Sequence, residues 1–273
     1  MNFLRTFLWL CLSLLLISCA SYVVDSGLVD EGIGGTGAVA LGGEGIGGTG
    51  KQLASGEGIG GTGVRANNKG TGIVGTITAF GSIWVNDAHV TFSDETPITI
   101  NFQSANKQDL KIGQVVAVLS DRNKGFFAAR SIDIVHETIG PVSSRTKNSI
   151  TVLHQIIHVE KDTLVESNGK LMSFSDVDVG QWLAVSGHRR RNGEIQATRL
   201  DLTEEKEFVQ VIGAPKFIEN NIYAVNGMRL KVNSWLMDEY EGGRLLITGE
   251  LTDTFMQVQS IGSDSVSQVI EQS

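Results

Sequence analysis

His154 and His158, four residues apart, are the pair best spaced in this chain to grip a metal ion. On a helix that spacing puts both rings on one face, where they can share zinc, as in H-E-x-x-H. Here Gln155 stands where that motif carries its general-base Glu, and Ser149-Ile-Thr-Val-Leu153 ahead of it reads as strand. In a strand rising ~3.3 Å per residue the two rings start about 13 Å apart. Zn–N bonds of about 2.0–2.1 Å cannot then be met at both. The expectation is a pair of surface or edge-strand histidines, with a metal-dependent hydrolase using His154 and His158 as the alternative. Arg189, Arg190 and Arg191 crowd positive charge into one turn that ends at Gly193. Guanidinium groups bind phosphate and carboxylate bidentately, so the turn is a candidate anion-binding loop as well as an ordinary solvated hairpin. Trp84, Trp182 and Trp235 are expected in the core, with stacking on a sugar as their functional alternative. With no G-x-S-x-G, paired acidic motif or phosphate loop in the sequence, no residue is assigned as catalytic. The expectation is a protein that is not an enzyme and carries no cofactor.

The elements that must position these residues are short β-rich runs broken by Gly, Asn and Asp, beginning at Gly72. Leu110-Lys-Ile-Gly113-Gln114-Val-Val-Ala-Val118 aligns with Val177-Asp-Val-Gly180-Gln181-Trp-Leu-Ala-Val185. Each is followed by a polar turn (Gly125, Gly193) and then by Ala129-Arg-Ser-Ile132-Asp133 or Ala197-Thr-Arg-Leu200-Asp201. A weaker third copy has Gly243-Arg244 in place of the Gly-Gln pair and continues through Met256 to Ile261. Ile83-Trp-Val-Asn86 matches Tyr223-Ala-Val-Asn226 upstream. This self-similarity divides the chain into modules at 72–135, 136–203 and 204–262, with a tail at 263–273. Val116 and Val118 alternate with Ala117 as in a half-buried strand. The fold class expected is all-β: three tandem small OB-like β-barrel or Greek-key modules that pack on one another, since a module of this size is marginal alone.

Ahead of the modules lies a segment of another kind. Arg5 precedes an apolar run, Phe7 to Ile17, closed by Leu16-Ile17-Ser18-Cys19. A charged start, an apolar h-region and small residues at the cut make a signal peptide. The closing residues resemble the lipobox of bacterial lipoproteins. That resemblance implies lipidation of Cys19 and cleavage between Ser18 and Cys19, so residues 1–18 are the expected signal peptide. Residues 19–71 follow as a tether, in which Glu31-Gly-Ile-Gly-Gly-Thr-Gly37 recurs at Glu44 and at Glu57. Glycine retains too much backbone freedom for such a stretch to order cheaply, so disorder is expected. A calcium-binding glycine repeat needs aspartates that these copies lack. A dinucleotide site needs a strand and a helix around the glycines, and neither is legible here.

The recurring G-x-V start, V-N hairpin, Leu/Val-x-Ile/Val-Gly strand entry and Ala-x-x-Ile finish resemble the bacterial domain-of-unknown-function family 5666 over residues 72–262. The resemblance implies an OB-like fold and supplies no catalytic residue. The formal charge is −8, and removing residues 1–18 takes away Arg5 and no acid, leaving −9. That balance argues against nucleic acid as a partner. The sequence therefore reads as a lipid-anchored cell-envelope protein that binds or scaffolds an envelope polysaccharide or protein. The lipid is its link to the membrane. Ala20 after Cys19 points to the outer membrane, facing the periplasm, because an acidic residue there often signals inner-membrane retention.

Overall fold

Among the described residues, hydrogen-bonded strands follow one another from Val64 to Ser263, with two short 3-10 turns between them and one α-helix after them. The computed structural model describes residues 64–67, 70–123, 125–233 and 242–273. The anticipated lipid site at Cys19, its cleavage position at Ser18, the glycine repeats and Trp235 lie outside the described residues.

The first repeat holds β2 (Gly70–Phe80), β3 (Ile83–Val85), β4 (Ala88–Thr91), β5 (Ile98–Ile100), β6 (Gln103–Ala105), β7 (Val115–Asn123) and β8 (Phe126–Val135). The second has β9 (Thr138–Arg145), β10 (Ser149–Val152), β11 (Gln155–His158), β12 (Leu164–Ser167), β13 (Lys170–Leu171), β14 (Trp182–Arg189) and β15 (Ile195–Thr203). The third has β16 (Val209–Gly213), β17 (Lys216–Glu219), β18 (Ile222–Val225), β19 (Met228–Lys231), β20 (Leu245–Leu251) and β21 (Met256–Ser263).

Pairing repeats with the sequence. A two-residue turn joins β3 to β4 at Asn86–Asp87, β10 to β11 at Leu153–His154, and β18 to β19 at Asn226–Gly227. The last strand of each repeat runs antiparallel to the strand before it and parallel to the one after that turn: β8 with β4, β15 with β11, β21 with β19. Gly113, Gly180 and Gly243 enter the long strands at φ +88°, +90° and +106°, a left-handed conformation that side chains resist. After the first two, Gln114 Oε1 accepts from the Lys111 amide and Gln181 Oε1 from the Asp178 amide, at 2.6 and 2.8 Å.

The all-β class holds, but the expected OB-like barrels or Greek-key modules do not stand as three separate bodies. Thr138 and Ile139 of β9 pair with β14 on one side and with β16 of the next repeat on the other. One sheet of 13 strands therefore runs through the second and third repeats, and their inward side chains share a single core. The arrangement is a β-solenoid of successive repeats. In the first repeat the corresponding edge, Gly70 to Ile73, pairs with a further strand, β1 (Val64–Asn67). Paired strand is thus present eight residues ahead of the boundary read at Gly72. Backbone pairing with β2 supplies the order, where composition suggested only tether.

The tail expected at 263–273 is instead a helix, α1 (Ser265–Gln272). Asp264 caps it by accepting from the Val266 and Ser267 amides at 3.0 and 3.3 Å. Val266, Val269 and Ile270 share one face, at helical spacing, and lie against Val74, Val115 and Ala117 of the first repeat. Ala117 is consequently buried, where alternation suggested a half-exposed strand. Gly72 permits this approach, since a Cβ there would sit 2.8 Å from Val269 Cγ1.

Candidate functional site

The basic turn does not present three arginines to solvent. Arg189, on β14, points inward, and all three of its guanidinium nitrogens donate. Its Nε donates to Glu137 Oε2 at 3.0 Å, Nη1 to Gln155 Oε1 and the Gly193 carbonyl at 2.8 and 2.6 Å, and Nη2 to the Ile212 carbonyl at 2.8 Å. Arg190 and Arg191 remain exposed. Arg190 donates to Gln196 Oε1 and lies 3.8 Å from Glu160. As an anion-binding loop the turn keeps two of its three charges, because Arg189 is committed to a carboxylate 52 residues away. Arg244, which replaces the recurring Gln, turns to the same carboxylate and donates to Glu137 Oε1 at 2.8 Å. Its Nε lies 3.6 Å from Asp264. Burial opposes ionisation of Glu137, but Arg244 and Arg189 outweigh it and hold the carboxyl below its ordinary range.

The histidine pair is not brought together. His154, with Leu153, forms the two-residue turn of the β10–β11 hairpin at φ +60° and +48°. Positive φ at both positions is the primed geometry that favours Asn-Gly. His158 ends the same strand, its Nε2 2.8 Å from Glu194 Oε2. The two residues therefore occupy opposite ends of a strand, about 13 Å of rise apart. Among the described residues no three His, Cys, Asp or Glu side chains form a group fit to hold a metal.

Where the three repeats meet, a half-open cavity of about 420 Å³ is lined from all of them. Asn101 follows β5, His136 links β8 to β9, Asp201 lies on β15, and Gln210 lies on β16. Asn101 Nδ2 donates to Gln210 Oε1 at 2.9 Å, and Gln210 Nε2 donates to the His136 carbonyl at 2.8 Å. The wall beside them is ionic. Arg199 donates to both oxygens of Asp201 and to Glu166 Oε2, and Lys111 Nζ meets Glu166 and lies 3.4 Å from Asp201. No motif announced this site, because its groups come from positions that carry no common spacing.

Burial drives the His136 imidazole down to about 4, with the nearby Asp201 only partly opposing it. Burial also lowers His188, whose Nε2 is 2.9 Å from Thr76 Oγ1. A histidine depressed from an unfolded value of about 6.5 favours the folded state fully above that pH and withdraws the benefit as pH falls toward its folded value. Asp133 acts in the opposite sense, raised chiefly by burial despite hydrogen bonds from Ser265, Thr99 and the Phe102 amide. The expected result is a loss of stability between about pH 6.5 and 4, flattened by His136→Gln. Urea midpoints at both ends of that window check it. An unchanged slope in the variant would exclude His136 as the source.

Of the tryptophans, Trp182 packs at the edge of the shared core. Trp84 is 39% exposed and stacks on His89 with ring centroids 4.8 Å apart. The core expectation thus describes Trp182 and misplaces Trp84, whose strand presents it outward between buried Ile83 and Val85.

Fold and junction together define an all-β repeat protein whose candidate site is shared between repeats. Residues 139–201, from β9 into β15, match the family described as Domain of unknown function (DUF5666). That span is the second repeat. Neither the curated proteins nor the solved structures yield a match to the chain.

Proposed function

We propose that this chain is a lipid-anchored module of the bacterial cell envelope that binds or scaffolds an envelope partner. The observation that carries the reading is the cavity of about 420 Å³ assembled from all three repeats. Pockets with convergent polar groups and an apolar wall are the usual small-molecule sites, and this one falls within their range of about 300–1,000 Å³. Buried ion pairs of Arg199 with Glu166 and Asp201 fix one part of its lining, which includes Asp201. The lipobox-like Leu16 to Cys19 supports the anchor, and Ala20 supports outer-membrane sorting with the repeats facing the periplasm.

Two measurements test the halves of this reading separately. Cys19→Ser is expected to abolish palmitate incorporation and detergent partitioning; a variant that keeps both overturns the anchor. Lipid-free protein is expected to sediment with envelope material. Replacing Arg190 and Arg191 with Gln should weaken that retention more at low salt than at high, because exposed charge contacts are screened within about 8 Å at physiological ionic strength. Failure of the parent protein to sediment overturns the binding role.

A further inference from the structure

We infer that the junction cavity takes an uncharged saccharide of one or two rings, an assignment that rests on the binding reading above. The first reason is unspent hydrogen bonding. Asn101 Oδ1 accepts the His136 amide at 3.0 Å, which fixes the other amide atom, Nδ2, as the donor 3.5 Å from His136 Nδ1. With Nδ1 accepting, the imidazole hydrogen resides on Nε2. His136 lines the cavity at 7% exposure, with Nε2 as its ring donor. Thr203 belongs to the same lining, and its hydroxyl is buried without a hydrogen-bond partner. Leaving a buried polar group unpaired costs about 1–3 kcal/mol. A sugar hydroxyl both donates and accepts, so one ring can serve an N–H and an O–H together.

The second reason is charge. The lining holds Lys111 and Lys206 together with Asp109, Asp201 and Glu207, and Lys111 is already bound to Glu166 and Asp201. An anion would meet a lining with more acids than bases, and a cation would meet two ammonium groups. A neutral ligand meets neither penalty. The third reason is shape. Ile100, Ile139 and Leu246 give the lining an apolar part, and Phe208, 40% exposed, offers a ring. The axial C–H face of a pyranose is apolar while its rim is hydroxylated, and it matches that division.

The test is isothermal titration of the full chain in detergent with glucose, galactose, mannose, N-acetylglucosamine and their disaccharides, with glucuronate and glucosamine as charged analogues. At least one neutral sugar is expected to saturate a single site. Binding should weaken about tenfold in Phe208→Ala and in Thr203→Val, roughly the loss of one good contact. Phe208 is exposed and Thr203→Val is isosteric, so an unchanged thermal midpoint in each assigns the loss to the site. No saturation by any neutral sugar overturns the inference, and so does a charged analogue that binds as tightly. Loss in Trp84→Ala with Phe208→Ala intact overturns it too, by moving the site to the Trp84–His89 stack. Sedimentation with envelope material separates the two levels: protein that sediments yet binds no sugar refutes the ligand class alone, whereas protein that does neither refutes the binding module.

Discussion

Glu137→Gln is expected to lower stability by about 3–5 kcal/mol, the range for removing one partner of a buried ion pair. The glutamate is 4% exposed and receives Arg189 on one oxygen and Arg244 on the other. Substitution leaves two guanidinium groups facing a neutral amide in the interior, and only Arg244 has a second carboxylate near it, Asp264 at 3.6 Å. Desolvation of these charges is sunk into the fold, so the variant keeps that cost and loses the attraction that offset it. Arg189 also holds the carbonyls of Gly193 and Ile212, so its displacement loosens the contact between the second and third repeats. For a body of about 200 residues, the thermal midpoint should fall by about 6–20 °C. Glu137→Leu combined with Arg189→Leu is expected to recover part of the loss, because the guanidinium without a second carboxylate is then gone. A midpoint within a degree or two of the parent in Glu137→Gln would show that water reaches this junction and the pairing is not buried in solution.

Much of this fold was legible because its turns need particular residues. Gly113, Gly180 and Gly243 recur since the backbone is left-handed there, and Asn86 and Asn226 recur since Asn tolerates the hairpin turn. The second repeat hides the same turn. Leu153 and His154 adopt it without Asn or Gly, and Leu153 is retained by packing against Gly140, whose Cβ would meet it at 3.0 Å. One residue of that atypical turn, His154, is also the first of the histidine pair for which a metal site was the alternative to a surface or edge-strand reading. The helix α1 escaped for a different reason. Eight residues give barely two turns, too few for a period to stand out, although Asp264 with Val266, Val269 and Ile270 was its signature.

The site was harder to read because its interactions are long-range. Glu137 has no sequence feature that marks it, and its partners lie 52 and 107 residues along the chain. A run of three arginines looks like a solvated patch until topology carries β14 past the linker between the first two repeats. The substitution of Gln by Arg244 weakened the third copy as a repeat, yet it is what joins that repeat to Glu137 and Asp264. Departure from the repeat consensus was thus the best available pointer to the junction. Consensus residues close each repeat's own turns, whereas the junction between repeats is served by side chains the consensus lacks.

Arg199→Met is expected to cost a similar 3–5 kcal/mol, beside the cavity residue Asp201. Arg199 is 2% exposed on β15 and donates to Glu166, to both oxygens of Asp201, and to the Ile112 carbonyl at 3.0 Å. The last bond reaches into the first repeat, where Thr198 Oγ1 also donates to the Gly113 carbonyl at 2.6 Å. Methionine fills similar volume but strands two carboxylates with Lys111 alone and leaves the Ile112 carbonyl without that donor. Lys111 is more exposed than Arg199, so its compensation is screened. Arg199→Lys keeps the charge without the planar fork and should fall between parent and Met variant. A pH signature accompanies the loss. Burial opposes ionisation of Glu166, but Lys111 and Arg199 outweigh it and depress the carboxyl. A depressed carboxylate stabilises the fold above its unfolded value of about 4.3 and withdraws that support as pH falls through the folded value. With one cation gone, Arg199→Met should show a shallower decline below about pH 4.3 than the parent, measured by urea midpoints. A loss below about 1 kcal/mol, or a lysine variant as unstable as methionine, would mean that the fork does not join the first two repeats.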